Sequence, residues 1–313
     1  MIPQLLRRAY ILSVIGVLAA TLALSTARVQ AQITRFAPED IRSGDFGFTL
    51  DLSSDGTMAL VGDVQDDIGG VNNQGSAYLF RQQTDGTYSQ VQKLLAMEEA
   101  ENPFGEVIAL SGDGSTAFVR LLTRIGRDAT GIVYVFTDDG TGTYVESDKI
   151  ISDNAPEAFG EALATTASGD RVFIGATNYA DGSTGGVGAV YVHERQTDGT
   201  YAEIQQILSS SRSFIEFFGE GLAVSADGQT LLAGAVGDGF GTVFVFERQT
   251  DGSYTEQQDF TPAERPNDYA FGNPIALSAD GNTAFIGTAE TGISDQPRKA
   301  FVYVRNSDGI FVQ

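Results

Sequence analysis

Short apolar segments and glycine-containing turns alternate along the chain in a pattern that repeats five times. Each repeat opens with a Phe-Gly pair, and consecutive pairs lie 53 to 59 residues apart. Two apolar stretches follow, joined by a tight turn, usually Asp-Gly, in which glycine supplies the positive φ of a hairpin. The pairs are Phe46-Gly47, Phe104-Gly105, Phe159-Gly160, Phe218-Gly219 and Phe271-Gly272. The pattern therefore predicts a two-stranded hairpin at the start of every repeat.

A third and a fourth strand follow in each repeat. The third is rich in Val, Tyr and Phe, as at 75–80 and 131–136, which is typical of a strand packed on both faces. A second turn, again mostly Asp-Gly, precedes a fourth segment that opens with Tyr or Phe. No stretch from residue 32 onward shows the apolar periodicity of an amphipathic helix. We therefore predict an all-β protein, a β-propeller whose blades are four-stranded antiparallel sheets.

The two ends of the sequence predict how the ring closes. Residues 309–313 align with the first half of a fourth strand at 86–90, and residues 32–40 align with the sequence that follows it, 91–99. Both ends would then contribute to the last blade, which protects its edges from pairing with other chains. We expect five blades closed in this way, starting near residues 46, 104, 159, 218 and 271. The alternative is that the chain holds five blades of a seven-bladed ring.

The first 31 residues have the composition of a secretory signal peptide. Arg7 and Arg8 precede an uncharged segment, 9–25, and Val29 and Ala31 match the small residues before a cleavage site. The alternative is an uncleaved membrane anchor, for which the apolar segment is short. We expect a signal peptide at 1–31 and a propeller at 32–313, in a protein that is secreted, periplasmic or at the cell surface.

The amino-acid composition limits the kinds of functional site that this protein can have. The 313 residues include 41 acidic and 19 basic side chains, for a formal charge of −22, with one histidine and no cysteine. Without cysteine, disulfides and thiolate metal sites are excluded. The charge argues against a nucleic-acid partner, which needs clustered Lys and Arg, and it favours hard cations such as calcium. His193 stands where three other repeats have Phe, so we interpret it as structural. We expect no enzymatic activity, because no catalytic constellation is visible in the sequence. We also expect the protein to be a monomer.

Beyond the blade pattern, the motifs resemble a known repeat. A Phe-Gly pair, a Ser-x-Asp-Gly turn and a Gly-Ala-Val-Tyr-Val segment are similar to the FG-GAP repeat, the blade of the integrin α-chain propeller. The resemblance covers all five repeats. The Gly-Ala-Pro part is matched only partly, by Gly175-Ala176-Thr177 and Gly234-Ala235-Val236, and it is absent from the second repeat, which has Arg120 there. It implies a ring-shaped extracellular interaction module, often with calcium, and it does not by itself imply an enzyme.

The loops between the second and third strands vary most in length and carry the candidate metal ligands. Calcium takes about six to eight oxygen ligands, which Asp and Asn side chains with loop carbonyls can supply. The alternative is a solvated turn whose Asp and Asn tolerate tight backbone geometry, and no loop has D-x-D-x-D-G spacing. The candidates are Asp63, Asp66, Asp67, Asn72 and Asn73 in the first repeat, and Asn178 and Asp181 in the third.

Three glutamates, Glu106, Glu161 and Glu220, directly follow a Phe-Gly pair. Propeller geometry could turn them toward the central channel as a cation or ligand site; the alternative is an exposed strand start. We expect a binding or adhesion module, supported by calcium, that recognises an extracellular protein or glycan through its variable loops. The alternatives are a carboxylate-based or calcium-assisted hydrolase of polysaccharide, or a structural spacer with no ligand of its own.

Overall fold

Twenty β-strands form five antiparallel four-stranded sheets, in which strands consecutive in sequence are neighbours. The sheets are blades arranged in a ring, which confirms the predicted five-bladed β-propeller. The computed structural model describes residues 37–38, 45–97, 103–125, 128–152, 158–180, 182, 186–211, 217–237, 241–262, 269–290 and 299–313, and these residues contain no helix.

Each blade runs from an inner strand to an outer strand. Blade 1 consists of β1 (Phe46–Leu52), β2 (Met58–Asp63), β3 (Ser76–Gln82) and β4 (Tyr88–Leu94); blade 2 of β5 (Ile108–Leu110), β6 (Thr116–Ile125), β7 (Asp128–Asp138) and β8 (Tyr144–Ile151); blade 3 of β9 (Phe159–Thr165), β10 (Arg171–Ala176), β11 (Ala189–Arg195) and β12 (Tyr201–Ile207); blade 4 of β13 (Phe218–Val224), β14 (Thr230–Ala235), β15 (Thr242–Arg248) and β16 (Tyr254–Phe260); blade 5 of β17 (Tyr269–Leu277), β18 (Thr283–Glu290), β19 (Ala300–Arg305) and β20 (Phe311–Val312).

The Asp-Gly turns form because the aspartate carboxylate satisfies the backbone of its own turn. In blade 1, Asp55 Oδ1 accepts hydrogen bonds from the Ser53 hydroxyl at 2.7 Å and the Thr57 N–H at 2.9 Å. Gly56 supplies the required positive φ of 70°. The hydrogen bonds from Thr57 and Ser53 lower the pKa of Asp55. The same arrangement recurs at Asp113, Asp227 and Asp280. Much of the acid excess therefore belongs to turn chemistry.

Backbone hydrogen bonds join the inner turns of neighbouring blades around a central cavity of about 310 Å³. The Ser54 N–H donates to the Gly112 carbonyl at 2.7 Å, and the Ala167 N–H donates to the Ala226 carbonyl at 2.9 Å. Residues from all five inner strands line the cavity. These strands, β1, β5, β9, β13 and β17, therefore surround the channel of the propeller.

The core lies in the seams between blades. Across the seam from blade 2 to blade 3, the ring of Phe118 packs edge-on against Tyr201, with centroids 5.4 Å apart. Across the next seam Phe173 packs against Tyr254 at 5.2 Å. The Phe-Gly backbone approaches the preceding blade so closely that a Cβ on Gly175 would lie 2.1 Å from the Gly219 carbonyl oxygen. Glycine in the second strand is therefore a packing requirement of this seam.

The seam between blade 5 and blade 1 differs from the other four. Phe285 on β18 is 53% exposed, whereas its counterparts Phe118 and Phe173 are fully buried. Other large apolar side chains along this seam are also exposed: Leu50 and Leu52 of β1, Val302 and Val304 of β19, and Val312 of β20. In the described residues this seam is thus not packed like the others.

Strand β20 is short, and among the described residues it pairs with the end of β19 alone, where Val304 lies opposite Val312 and Arg305 opposite Phe311. Of the segment at 32–40 that was expected to complete this blade, only residues 37 and 38 are among the described residues, and the signal peptide expected at 1–31 lies outside them. Closure of the last blade by both ends of the chain therefore stays a prediction.

His193 on β11 is buried, and its Nδ1 has no hydrogen-bond partner. Burial lowers the pKa of His193 from 6.5 to about 4, against a smaller opposing effect of the Asp148 carboxylate. The imidazole packs edge-on against Phe159, with ring centroids 6.2 Å apart. This environment agrees with the interpretation of His193 as a replacement for the core Phe of other blades.

We expect His193→Phe to make the protein more resistant to acid. The unfolded chain takes up a proton on His193 as the pH falls below 6.5, while the folded chain does so only near pH 4, so acid in this window favours unfolding. Thermal unfolding of both proteins between neutral pH and about pH 4 measures the effect. The melting temperature of the variant should fall less with decreasing pH than that of the wild type. Parallel changes of melting temperature with pH in the two proteins would contradict the conclusion that His193 is buried and neutral.

Candidate binding face

The Phe-Gly ends of the inner strands and the variable loops lie on the same face of the ring. Phe46, at the start of β1, is opposite Asp63, the last residue of β2 before its loop. The far end of that loop reaches the next blade, where Gly75 forms a bridge with Phe104. Gly188 and Phe218 form the same bridge between blades 3 and 4. Each loop therefore borders the Phe-Gly end of the following blade.

The position directly after Phe-Gly carries an aromatic or polar side chain in every blade. The N–H groups of Phe48, Glu161 and Glu220 all donate to the carbonyl three residues earlier, so the local backbone is shared. Because the inner strands surround the channel, this position lies at its mouth. Together with two side chains that contact it, we call this set the mouth cluster: Phe48, Glu106, Arg120, Glu161, Thr177, Glu220 and Asn273.

Arg120 lies between two of the carboxylates. It occupies the β6 position that is glycine in the other blades, and its side chain is buried. Its Nη1 lies 3.5 Å from Glu106 Oε2, and its Nε donates to the Phe159 carbonyl at 3.1 Å. Burial lowers the pKa of Arg120, while the carboxylates of Glu161 and Glu106 oppose that shift. Arginine stays charged in proteins, so it partly neutralises the carboxylates of the mouth cluster.

Glu161 and Glu220 are held by neighbouring polar side chains. The Thr177 hydroxyl donates to Glu161 Oε2, and the Asn273 amide donates to Glu220 Oε1 at 3.2 Å. Burial raises the pKa of Glu220; the Asn273 hydrogen bond opposes this, and the nearby Glu161 carboxylate adds to it. The structure thus brings these two predicted glutamates close enough to interact, in different environments.

The mouth cluster combines several kinds of recognition group on one surface. The ring of Phe48 is 59% exposed and offers an apolar face. Carboxylates accept hydrogen bonds and an amide both donates and accepts, while the buried Arg120 guanidinium offsets the charge of the carboxylates. A sugar ring has matching features, since its C–H face packs on an aromatic ring while its hydroxyls hydrogen-bond at the edge.

Asp66, a predicted metal ligand in the blade 1 loop, is an internal acceptor. It is 2% exposed, and its Oδ2 accepts hydrogen bonds from the hydroxyls of Ser76 and Tyr78. The Lys93 ammonium lies 2.7 Å from the same oxygen. Burial raises the pKa of Tyr78 to about 12. This carboxylate therefore already has a cationic partner inside the blade.

The other predicted ligands of this loop are spread over its length. Asp63 is buried, with its Oδ1 unpartnered, and burial together with the Asp66 carboxylate raises the pKa of Asp63. The exposed Asp67 accepts the Asn73 N–H at 2.9 Å, and Asn73 adopts a φ of 54°. Asn72 is exposed. The loop is thus organised by its own hydrogen bonds.

In blade 3, Asn178 is exposed and Asp181 lies outside the described residues. Among the described residues, no three Asp, Glu, His or Cys side chains are placed to hold a metal ion together. With an ammonium already at Asp66, the blade 1 loop as arranged does not fit a calcium site. Calcium binding stays a prediction from the sequence.

The sequence pattern does not predict a role at the mouth for Phe48, Thr177 or Asn273, and Arg120 stands out in it only as a departure from the repeat. Phe48, Arg120 and Asn273 stand at positions where other blades carry a different residue type. A comparison of the five blades position by position is the signal that could have found them.

Within the described part of the chain, no helix is long and apolar enough to cross a bilayer. No protein-family model matches the sequence, and no curated protein matches it either. The FG-GAP resemblance thus has no support from a family model.

Solved propellers share the architecture. The periplasmic gluconolactonase of Pseudomonas aeruginosa is 18% identical with a TM-score of 0.55, over 84% of this chain and 69% of that one. A hypothetical selenium-binding protein from Sulfolobus tokodaii is 8% identical with a TM-score of 0.53, over 81% of this chain and 62% of that one. Sqt1 of Chaetomium thermophilum is 15% identical with a TM-score of 0.50, over 85% of this chain and 62% of that one. None of these three is an integrin or FG-GAP protein, and at such identities the likeness shows the β-propeller fold alone.

Proposed function

We propose that this protein is an exported binding module that recognises a glycan at the mouth of its channel. The observation that carries the proposal is the mouth cluster, where the exposed ring of Phe48 shares one repeat position with three glutamates and an asparagine. The variable loops border the same face and would add contacts. The proposal of export depends on the sequence of residues 1–31, and the resemblance to FG-GAP propellers depends on the five repeats.

Phe48→Ala is expected to weaken glycan binding about tenfold or more, because the variant removes the apolar platform at the centre of the contact. A glycan array with the chain lacking residues 1–31 would identify the ligand, and titration calorimetry would compare the variants. Ile204→Ala, which truncates an exposed apolar side chain on β12, is the control and should bind normally. Equal binding by Phe48→Ala would place the site elsewhere, and failure of the wild type to bind any glycan would favour the structural spacer.

A hydrolase of polysaccharide is the second candidate, because Glu161 and Glu220 form an interacting carboxylate pair in which the pKa of Glu220 is raised by burial. A glycoside hydrolase needs one carboxyl group protonated as general acid and another ionised. A propeller fold is compatible with catalysis, since one structural neighbour is named a gluconolactonase. Release of reducing sugar by the wild type, abolished in Glu220→Gln, would support the hydrolase. Glycan binding without turnover would support the binding module.

A further inference from the structure

The two sides of the seam between blade 5 and blade 1 are apolar and exposed. Six of the twelve large apolar side chains that are exposed in the described part of the chain lie there. The blade 5 face consists of Phe285, Val302, Val304 and Val312. The blade 1 face consists of Leu50, which is 70% exposed, and Leu52, which is 51% exposed. Exposed apolar side chains gathered in one place are typical of an interaction site.

The strand register makes the blade 5 face one continuous surface. Phe285 on β18 is opposite Val302 on β19, and Val304 on β19 is opposite Val312 on β20. Successive side chains of a strand point to opposite sides of the sheet, so Val302 and Val304, two positions apart, share one side. The residues of β19 that alternate with them are buried in the core between blades 4 and 5.

The repeat positions of these two faces pack against one another in the other seams. Phe118 of blade 2, at the position of Phe285, is fully buried in the apolar cluster between blades 2 and 3. Leu163 of blade 3, at the position of Leu50, packs against the same cluster. The blade 5 face and the blade 1 face are therefore the two halves of an interface that the chain forms between its other successive blades.

The two halves do not share a core within one chain. Four apolar clusters each contain side chains of two successive blades. Among the described residues, the cluster on the remaining side of blade 1 contains blade 1 side chains alone: Ala59, Val61, Tyr78 and Phe80, with Phe46 and Tyr88 packed against them. Each face thus lacks the partner that its repeat position has elsewhere in the ring.

We propose that the blade 5 face of one copy of this protein docks on the blade 1 face of a second copy. The contact would reproduce between two chains the seam that packs successive blades within one chain. Because the two faces differ, the contact is head-to-tail, and further copies can add until a ring closes. In dilute solution the single chain would predominate, with the seam exposed. The proposal is separate from the mouth cluster and does not depend on glycan binding.

The net charge acts against this association. The chain has a formal charge of −22, so two copies repel each other. Salt screens exposed charges over a Debye length of about 8 Å at physiological ionic strength, and it does not weaken an apolar contact in the same way. We therefore expect the association to become stronger as the salt concentration increases.

Light scattering over a range of protein concentrations tests the proposal on the chain without residues 1–31, the form expected after export. The mass of the wild type should rise above that of one chain as the concentration increases. Phe285→Lys and Leu50→Lys should each weaken the association about tenfold or more, because each places a charge in the apolar contact. Both variants carry less negative charge, so stronger repulsion could not explain the loss. Ile151→Lys, at an exposed apolar side chain of β8, is the matched control and should associate like the wild type.

A mixture of the two variants tests the head-to-tail geometry. Phe285→Lys keeps the blade 1 face and Leu50→Lys keeps the blade 5 face, so the mixture should form a dimer and no larger species. Melting temperatures close to that of the wild type would show that both variants are folded. Three results would overturn the proposal. The wild type could remain a single chain at every concentration, which would mean that the faces are covered within one chain. Leu50→Lys could associate as well as the wild type, or the mixture could remain separate chains.

Discussion

Lys93→Met is expected to destabilise the protein by about 3–5 kcal/mol, because it leaves a buried carboxylate without its cation. The Lys93 ammonium lies 2.7 Å from Asp66 Oδ2, and the Asp66 side chain is only 3% exposed. The hydroxyls of Ser76 and Tyr78 would remain as hydrogen-bond donors, but neither carries a compensating charge. Chemical denaturation of the wild type and the variant at neutral pH measures the difference in the free energy of unfolding.

Blade 2 provides the matched control. Lys149 lies over the ring of Tyr134 as Lys93 lies over Tyr78, at 4.8 and 5.1 Å from the ring centroids. Its carboxylate neighbour, Glu146, is 3.4 Å away and partly exposed, so Lys149→Met should cost at most about 1 kcal/mol.

The double variant Lys93→Met/Asp66→Asn should recover part of the loss, since the buried charge is then absent. An equal and small cost for Lys93→Met and Lys149→Met would mean that another cation neutralises Asp66. Bound calcium, predicted from the loop sequence, is the first ion to test in that case.

The blade architecture could be predicted from the sequence because its chemistry is local. An aspartate such as Asp55 accepts hydrogen bonds from residues two positions away, and the glycine that follows it supplies the positive φ. Four blades carry this Asp-Gly turn, the third has Ser168-Gly169 in its place, and the five repeats together predict five blades. Interactions of this range are visible in any alignment of the repeats.

The mouth cluster could be predicted only in part. Glu161 and Glu220 stand out because each follows a Phe-Gly pair, but their interaction depends on how β9 and β13 come together in the ring. The partners are less visible still, because Arg120 comes from a second strand and reaches glutamates of two blades. Residues that interact across a seam carry no fixed spacing in the sequence.

The candidate calcium loop in blade 1 is a case in which the sequence suggests a site but the contacts depend on the fold. Its composition of acids and amides is typical of a cation site, yet the cation found at Asp66 is Lys93, from a strand two positions further along the blade. The composition of the loop shows which oxygen atoms could bind a cation. It does not show which charged side chains from other strands contact those oxygens in the folded protein. The ammonium on β4 could not be assigned to the loop before the register of β3 and β4 was known.

Phe173→Ala is expected to cost about 3–5 kcal/mol, whereas Phe285→Ala, at the same repeat position in blade 5, should cost about 1 kcal/mol or less. Phe173 is fully buried and packs edge-on against Tyr254 of the next blade at 5.2 Å. Phe285 is 53% exposed on the seam between blade 5 and blade 1. Because the two substitutions are chemically identical, the difference in unfolding free energy reports the packing of the two seams.

If Phe285→Ala lowered the free energy of unfolding as much as Phe173→Ala, Phe285 could not be exposed at the seam between blade 5 and blade 1. Only removal of a buried ring leaves a cavity. The seam would then be covered in solution. A small cost, by contrast, means that five blades hold together with four packed seams. Stability in that case comes from the links between successive blades, of which Phe118–Tyr201 and Phe173–Tyr254 are two aromatic examples. Each buried Phe of the second strands then contributes through one neighbour only, so Phe118→Ala should cost about as much as Phe173→Ala.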